Sequence, residues 1–222
     1  MLTATKPIVL YQTAHSARTR REILAIAVDI ASAEGLEGLS IGRLAAELKM
    51  SKTGIFAHFG SKERLQLATV DAAKVIFFDQ VVQPSLACSR GIQRLIEMLE
   101  NWLGYVEGIV FRGGCFFAAA SAEFDSRPGS VRDLIAELTG AWVTALREEI
   151  AFAKTQRLIQ ASVDPAQLAF ELHAYIQEAN WAFKLFNDKS AFSMARRAIA
   201  DRIASVSNKP KGRGNRRKEG SL

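Results

Sequence analysis

The residues best suited to chemistry in this 222-residue chain lie close together between Ser40 and Lys62. Ser40, Ser51 and Ser61 each stand immediately before an apolar-periodic run, where a serine hydroxyl caps a helix by accepting a free backbone N–H. Ser51 is followed by Lys52, Thr53 and Gly54. Small side chains there make the start of a short helix thin enough to enter a major groove about 12 Å wide. The same helix start offers unpaired N–H groups and a partial positive charge, which suit a phosphate oxygen. Lys52 and Lys62 add full charges on either side, and His58 adds one hydrogen-bond donor. Lys49 and Thr53 are the candidates for reading base edges, whereas the other groups supply affinity and register. Read without that chemistry, the serines are plain helix caps and the lysines ordinary solvated charges.

The elements that must position these groups are short helices. Ile23, Leu24, Ala27, Ile30 and Ala31 fall on one face of a helix that begins at Arg18, and Gly35 is well placed to stop it. Ile41, Leu44, Ala45 and Leu48 repeat at helical spacing after Ser40, and Ile55 and Phe59 do so after Ser51. Two short helices separated by about three residues make a helix-turn-helix over 40–59, with these apolar positions as its core. Gly60 ends the second helix and Ser61 caps a fourth, which Pro84 interrupts or ends. Beyond it, breaks at Gly108, Gly113-Gly114, Ser126-Arg127-Pro128, Asp164-Pro165 and Asn187-Asp188 leave helices at about 89–107, 114–124, 128–158, 165–187 and 190–206. No run alternates as a strand does, so the fold class is all-α.

With Leu44-Ala45-Ala46, the Ile55-Phe56 pair, His58-Phe59 and Ser61-Lys62-Glu63 with Leu65, the segment resembles the N-terminal domain of the TetR family of bacterial regulators. The resemblance covers about residues 17–77. It implies a sequence-specific regulator that binds operator DNA through Ser40, Lys49, Ser51, Lys52, Thr53, Gly54, Phe56, His58 and Lys62, with repression as the family default. Two positions depart from the family pattern. Phe56 stands where a tyrosine is usual, which removes a hydroxyl that commonly reaches phosphate. Lys49 stands where the turn usually has glycine, which questions a left-handed turn there and puts a charge near the DNA.

Residues 78–206 hold no paired carboxylates, nucleophile elbow, phosphate loop or metal-ligand spacing. They are rich in aromatics instead, most of which fill a helical core. The resemblance implies that this domain encloses a cavity for a small effector, and the scarcity of charge on its inward stripes points to a lipophilic or aromatic one. The candidate lining residues are Trp102, Phe117, Trp142, His173, Tyr175 and Gln177. The last two helices carry the stripes Leu168, Leu172, Tyr175, Ala179, Phe183 and Phe192, Ala195, Ile199, Ile203, Val206. In the family the corresponding helices pair with a second copy, so a homodimer on a palindromic operator is expected.

The charge of +6 is a weak guide to any of this. Six basic residues and one acid fall between Ser207 and Leu222, leaving 23 basic against 22 acidic side chains elsewhere. That terminal segment reads as a disordered basic tail, free to add non-specific phosphate contacts. Residues 1–16 have no sustained period and read as a mobile arm. No stretch is long and apolar enough to span a bilayer or to act as a signal peptide, so the cytoplasm is the expected compartment. Cys88 and Cys115 have neither metal-site nor disulfide-scaffold spacing and read as small core residues, and no cofactor is expected. Against the regulator stand a helical ligand-binding protein without specific DNA binding, favoured only by Phe56 and Lys49, and an enzyme, for which no catalytic set is visible.

Overall fold

The computed structural model describes the backbone of residues 7–208 and the side chains of residues 16–208. Helix α1 spans Pro7–Glu34, α2 Ile41–Leu48, α3 Lys52–Phe59 and α4 Lys62–Phe77. A π turn, Phe78–Val82, and a single short turn α5, Gln83–Ser85, carry α4 onward. Then come α6 Ile92–Glu107, α7 Phe116–Phe124, α8 Ser130–Thr155, α9 Pro165–Phe186 and α10 Ser190–Val206. Among the described residues the only extended pairing is one bridge between Ile159 and Ser207.

Two boundaries differ from the sequence-based reading. Helix α1 begins at Pro7, well before Arg18, so residues 7–16 of the expected arm are helical. A proline is well tolerated at the first helical position, because its missing N–H would have had no partner there. At the other end Ser207 and Asn208 are pinned to the body: Asn208 N donates to Leu158 O (2.9 Å) and its side-chain amide to Arg157 O (2.8 Å). Residues 1–6 and the strongly basic segment 209–222 lie outside the described residues.

Pro84 neither ends the fourth helix sharply nor lets it run on as a regular helix. Proline lacks an N–H and its ring crowds the carbonyl four residues back, here Gln80. The backbone widens into the π turn just before it, with Gln83 N reaching Phe78 O.

One continuous apolar core runs from Ile23 through Leu44, Ile55 and Leu65 to Leu99, Leu146, Leu172 and Ile203. Cys115 is buried in it, Cys88 is half-buried, and both are free thiols. The stripes read on α9 and α10 face this core: Leu168, Leu172, Ala179, Phe192, Ala195, Ile199, Ile203 and Val206 are buried within the protomer. Exposed apolar side chains, Phe170, Trp181, Leu185 and Met194, occupy the outer faces of the same two helices.

The three-helix head and the larger helical body are tied by the loop before α7. Arg112 pairs with Asp29 (2.5 Å), its N–H donates to the same carboxylate (3.1 Å), and Gly113 N donates to Ser32 Oγ (3.1 Å). At the far end of α7, Glu123 accepts from the backbone N–H groups of Leu36 (2.7 Å) and Glu37 (3.1 Å), in the loop between α1 and α2.

Candidate DNA-reading surface and effector cavity

The helix-turn-helix is built from its caps. Ser40 Oγ accepts from Arg43 N (3.1 Å), Ser51 Oγ from Gly54 N (3.0 Å) and Ser61 Oγ from Arg64 N (3.1 Å), each serine being in extended conformation. Between α2 and α3 the chain turns at Lys49, which adopts φ 52° and ψ 37°, and Met50 N closes the turn on Ala45 O (3.0 Å). The left-handed turn is therefore kept although a lysine occupies it. A side chain in that region costs about 1 kcal/mol relative to glycine. Lys49→Gly is expected to raise stability by about 0.5–1 kcal/mol while removing a charge from the candidate reading surface. Thermal melting and DNA binding at several salt concentrations would show the two effects with opposite signs.

Ser51, Lys52, Thr53 and Phe56 are exposed on one face of α3, Lys49 is exposed beside them, and Gly54 and His58 are half-exposed. Ile55 and Phe59 point the other way into the core. The Lys52 stem lies along α2, where a Cβ at Gly42 would come within 3.6 Å of Lys52 Cε. Phe56 is 51% exposed, so its ring is presented outward rather than packed against the protein. Lys62 is already engaged: its ammonium pairs with Glu37 (2.7 Å), which also accepts from Gln66 Nε2 (3.2 Å). Those two hydrogen bonds, first from Lys62 and then from Gln66, hold the Glu37 carboxyl below the usual carboxylate range. Arg20 of α1 fixes the other end of α3 by donating to His58 O and stacking its guanidinium 4.5 Å from the Phe59 ring centroid.

The helical body encloses a cavity of about 240 Å³. Trp102, Phe117, Trp142, His173 and Gln177 line it, as read from the sequence. Tyr175 does not: His173 and Gln177 are one turn apart on α9, whereas Tyr175, two residues from each, faces a shallow groove between α9 and α10. No local pattern marks α4 and its π turn as the source of Lys74, Phe77, Phe78 and Val82, or α8 as the source of Thr139. Phe77 is the hub, meeting Trp142 at 5.0 Å, Phe117 at 6.0 Å and Trp102 at 6.3 Å, all edge to face. Burial lowers the His173 pKa, keeping the imidazole neutral. A histidine with a lowered folded-state pKa contributes stability that is complete above its unfolded value of about 6.5 and is lost as pH falls through the lower folded value. Replacing it, as His173→Gln, should therefore flatten the fall in melting temperature between neutral and mildly acidic pH.

A comparison with the sequences of curated proteins gives no match. Two family models do match: bacterial regulatory proteins of the tetR family over residues 23–69, and the tetracyclin repressor-like C-terminal domain over residues 91–199. The chain belongs to the TetR family. Solved structures of TetR regulators share its fold. One from Chloroflexus aurantiacus is 23% identical with a TM-score of 0.78, covering 87% of this chain and 98% of its own. A choline complex of a transcriptional regulator from Saccharomonospora viridis is 21% identical with a TM-score of 0.72, covering 87% and 100%. AibR, solved with isovaleryl coenzyme A and operator DNA, is 23% identical with a TM-score of 0.65, covering 85% and 97%.

As a TetR-family member the protein is a DNA-binding transcriptional regulator and not an enzyme. Among the described residues no helix is long and apolar enough to cross a membrane, and no cluster of His, Cys, Asp or Glu could hold a metal ion. In TetR terms, sequence reasoning found the exposed face of α3 and missed the long-range contacts that hold the head together. Arg20, Glu37 and Glu123 act through contacts 25 to 87 residues apart in the chain, where no local pattern marks them.

Proposed function

We propose that this protein is a ligand-responsive repressor that binds a palindromic operator as a homodimer and is released by a small, largely apolar effector. The observation that carries the reading is the course of α4. It starts at Ser61, directly after the recognition helix α3, and ends with Lys74, Phe77 and Phe78 at the cavity. A ligand that displaces the Phe77 ring pushes on the helix that sets the position of α3. A shift of α4 would alter the separation of the two recognition helices, which a two-fold operator fixes at roughly 34–36 Å. A coupling of about 1–3 kcal/mol changes operator affinity roughly 5- to 150-fold. AibR, solved with both isovaleryl coenzyme A and operator DNA, and the choline-bound regulator support by analogy a ligand site and a DNA site on this fold, though not the direction of the response.

In the proposed complex Ser40, Ser51, Lys52, His58 and Lys62 meet phosphates, Lys62 by exchanging Glu37 for the DNA. Thr53, Gly54, Phe56 and Lys49 lie against the bases. The Phe56 ring, lacking a hydroxyl, offers apolar contact of the kind that suits a thymine methyl. The test is a gel-shift series with DNA from upstream of the protein's own gene. Lys52→Ala should weaken binding to all sequences alike and reduce the salt slope by about one per subunit, while Thr53→Ala should cost about 1–3 kcal/mol on the cognate site and relax its specificity. Binding that is absent, or indifferent to both changes, would leave a helical ligand-binding protein without specific DNA recognition.

A further inference from the structure

Most buried polar groups in this protein have partners, and the exceptions are concentrated at the cavity. Four buried side-chain atoms make no hydrogen bond among the described residues: Trp102 Nε1, Tyr105 Oη, Thr139 Oγ1 and Trp142 Nε1. Three of these residues line the cavity. Thr139 is telling: the residue is half-buried but its hydroxyl oxygen is covered, and a threonine so placed in a helix ordinarily turns its hydroxyl to the carbonyl four residues back. Thr69 in α4 does so, donating to Leu65 O at 2.8 Å, whereas Thr139 in α8 does not. The Trp102 indole faces the Cys115 thiol, a weak acceptor, and Trp142, one turn beyond Thr139, has no acceptor at all. An indole N–H can only donate, and leaving it unpaired in an apolar site costs about 1–3 kcal/mol.

The charges around the cavity agree with these donors. No carboxylate lines it, and its one formally charged residue is Lys74, which is exposed at the rim. The ring cluster of Phe77, Trp102 and Trp142 resembles an aromatic cage for a cation. Here, however, a cation would find no acidic partner, the unpaired Trp142 N–H and a lysine. A volume of about 240 Å³ is below the roughly 300–1,000 Å³ of sites for drug-sized ligands, so the occupant is about the size of a fused two-ring molecule.

We infer that the cavity takes a compact aromatic molecule carrying a hydrogen-bond-acceptor oxygen and no positive charge, with Trp142 and Thr139 donating to that oxygen. The inference rests on the reading of the cavity as the effector site and names the chemistry of the effector. α-Tetralone supplies such an oxygen on a two-ring frame. Tetralin lacks the oxygen, α-aminotetralin replaces it with a cation, and choline is a cation without rings.

Calorimetric titration of the full chain with these four probes tests the inference. α-Tetralone is expected to bind at least tenfold tighter than the other three. Trp142→Phe and Thr139→Val should each weaken α-tetralone about three- to tenfold and leave tetralin unchanged, with melting curves reporting that both variants fold. Equal binding of tetralin, tightest binding of either cation, absence of binding by all four, or indifference of α-tetralone to both substitutions would overturn the inference. The release of upstream DNA by α-tetralone is measured alongside. Tight α-tetralone binding with unchanged DNA affinity would reject the effector reading while leaving the ligand chemistry in place.

Discussion

Gly113→Ala is expected to lower the stability of the protein by about 3 kcal/mol or more, which for a chain of this size is a fall of roughly 6–12 °C in melting temperature. A Cβ at this position would lie 1.6 Å from the backbone oxygen of Ser32 and 2.0 Å from its carbonyl carbon. Neither atom belongs to a side chain that can rotate away, so the loop before α7 must separate from α1. Separation breaks the bond from Gly113 N to Ser32 Oγ and strains the adjoining Arg112–Asp29 pair. Gly140 in α8 supplies the opposite case. A Cβ there meets nothing within 4 Å, and alanine is the better helix former, so Gly140→Ala should raise stability by about 0.5–1 kcal/mol. Parallel melting curves of the two variants would show the difference in sign, and a Gly113→Ala protein as stable as the parent would mean that this contact is not made.

The second large effect is expected from the outer face of α9. Phe170 is 68% exposed, Trp181 50% and Leu185 61%, and their spacing places them on one side of the helix, with Met194 of α10 nearby. Large aromatics at a solvent face suit a buried contact between subunits, where tryptophan is a frequent anchor. On the proposal that two copies pair here, Trp181→Glu combined with Leu185→Glu buries like charges across a two-fold axis. The pair should convert the protein to a monomer in sedimentation at micromolar concentration. Operator affinity should fall by about 100-fold or more, because a monomer engages one half-site. A variant that sediments unchanged would remove this face from the interface.

Much of the fold was legible because its boundaries are written in local chemistry. The serines at 40, 51 and 61 and the glycine at 60 each satisfy a helix end with their own atoms, so reading them placed α2 and α3 closely. The breaks around Gly113, Pro128 and Pro165 did the same for the body. Periodicity also identified which side of α9 and α10 is apolar. It could not separate the face that fills the protomer from the face left outside, since both carry large apolar side chains.

The cavity was half legible for a similar reason. Its tryptophans stand out in the sequence, but Ser61 marks only where α4 begins, and no local pattern directs Lys74 and Phe77 to the cavity. The π turn rotates the residues after Phe77 relative to a regular helix and brings Phe78 and Val82 to the cavity, an offset that a fixed helical period does not anticipate. Tyr175 was grouped with His173 and Gln177 by proximity in the chain, although a two-residue step on a helix crosses to the other side.

Helix α7 has a bearing on how such regulators can be recombined. Its first residues, Phe117 and Ala118, touch the cavity, while Glu123 near its end grips two backbone amides of the head. A chimera joined between residues 77 and 78, the natural seam by sequence, would graft a foreign head onto a carboxylate with no matching loop. The α1–α2 loop and α7 therefore form one transplantable cassette, and on the proposed function exchanging them together should yield hybrids that still respond to ligand where exchange of the head alone yields hybrids that bind DNA but no longer let go.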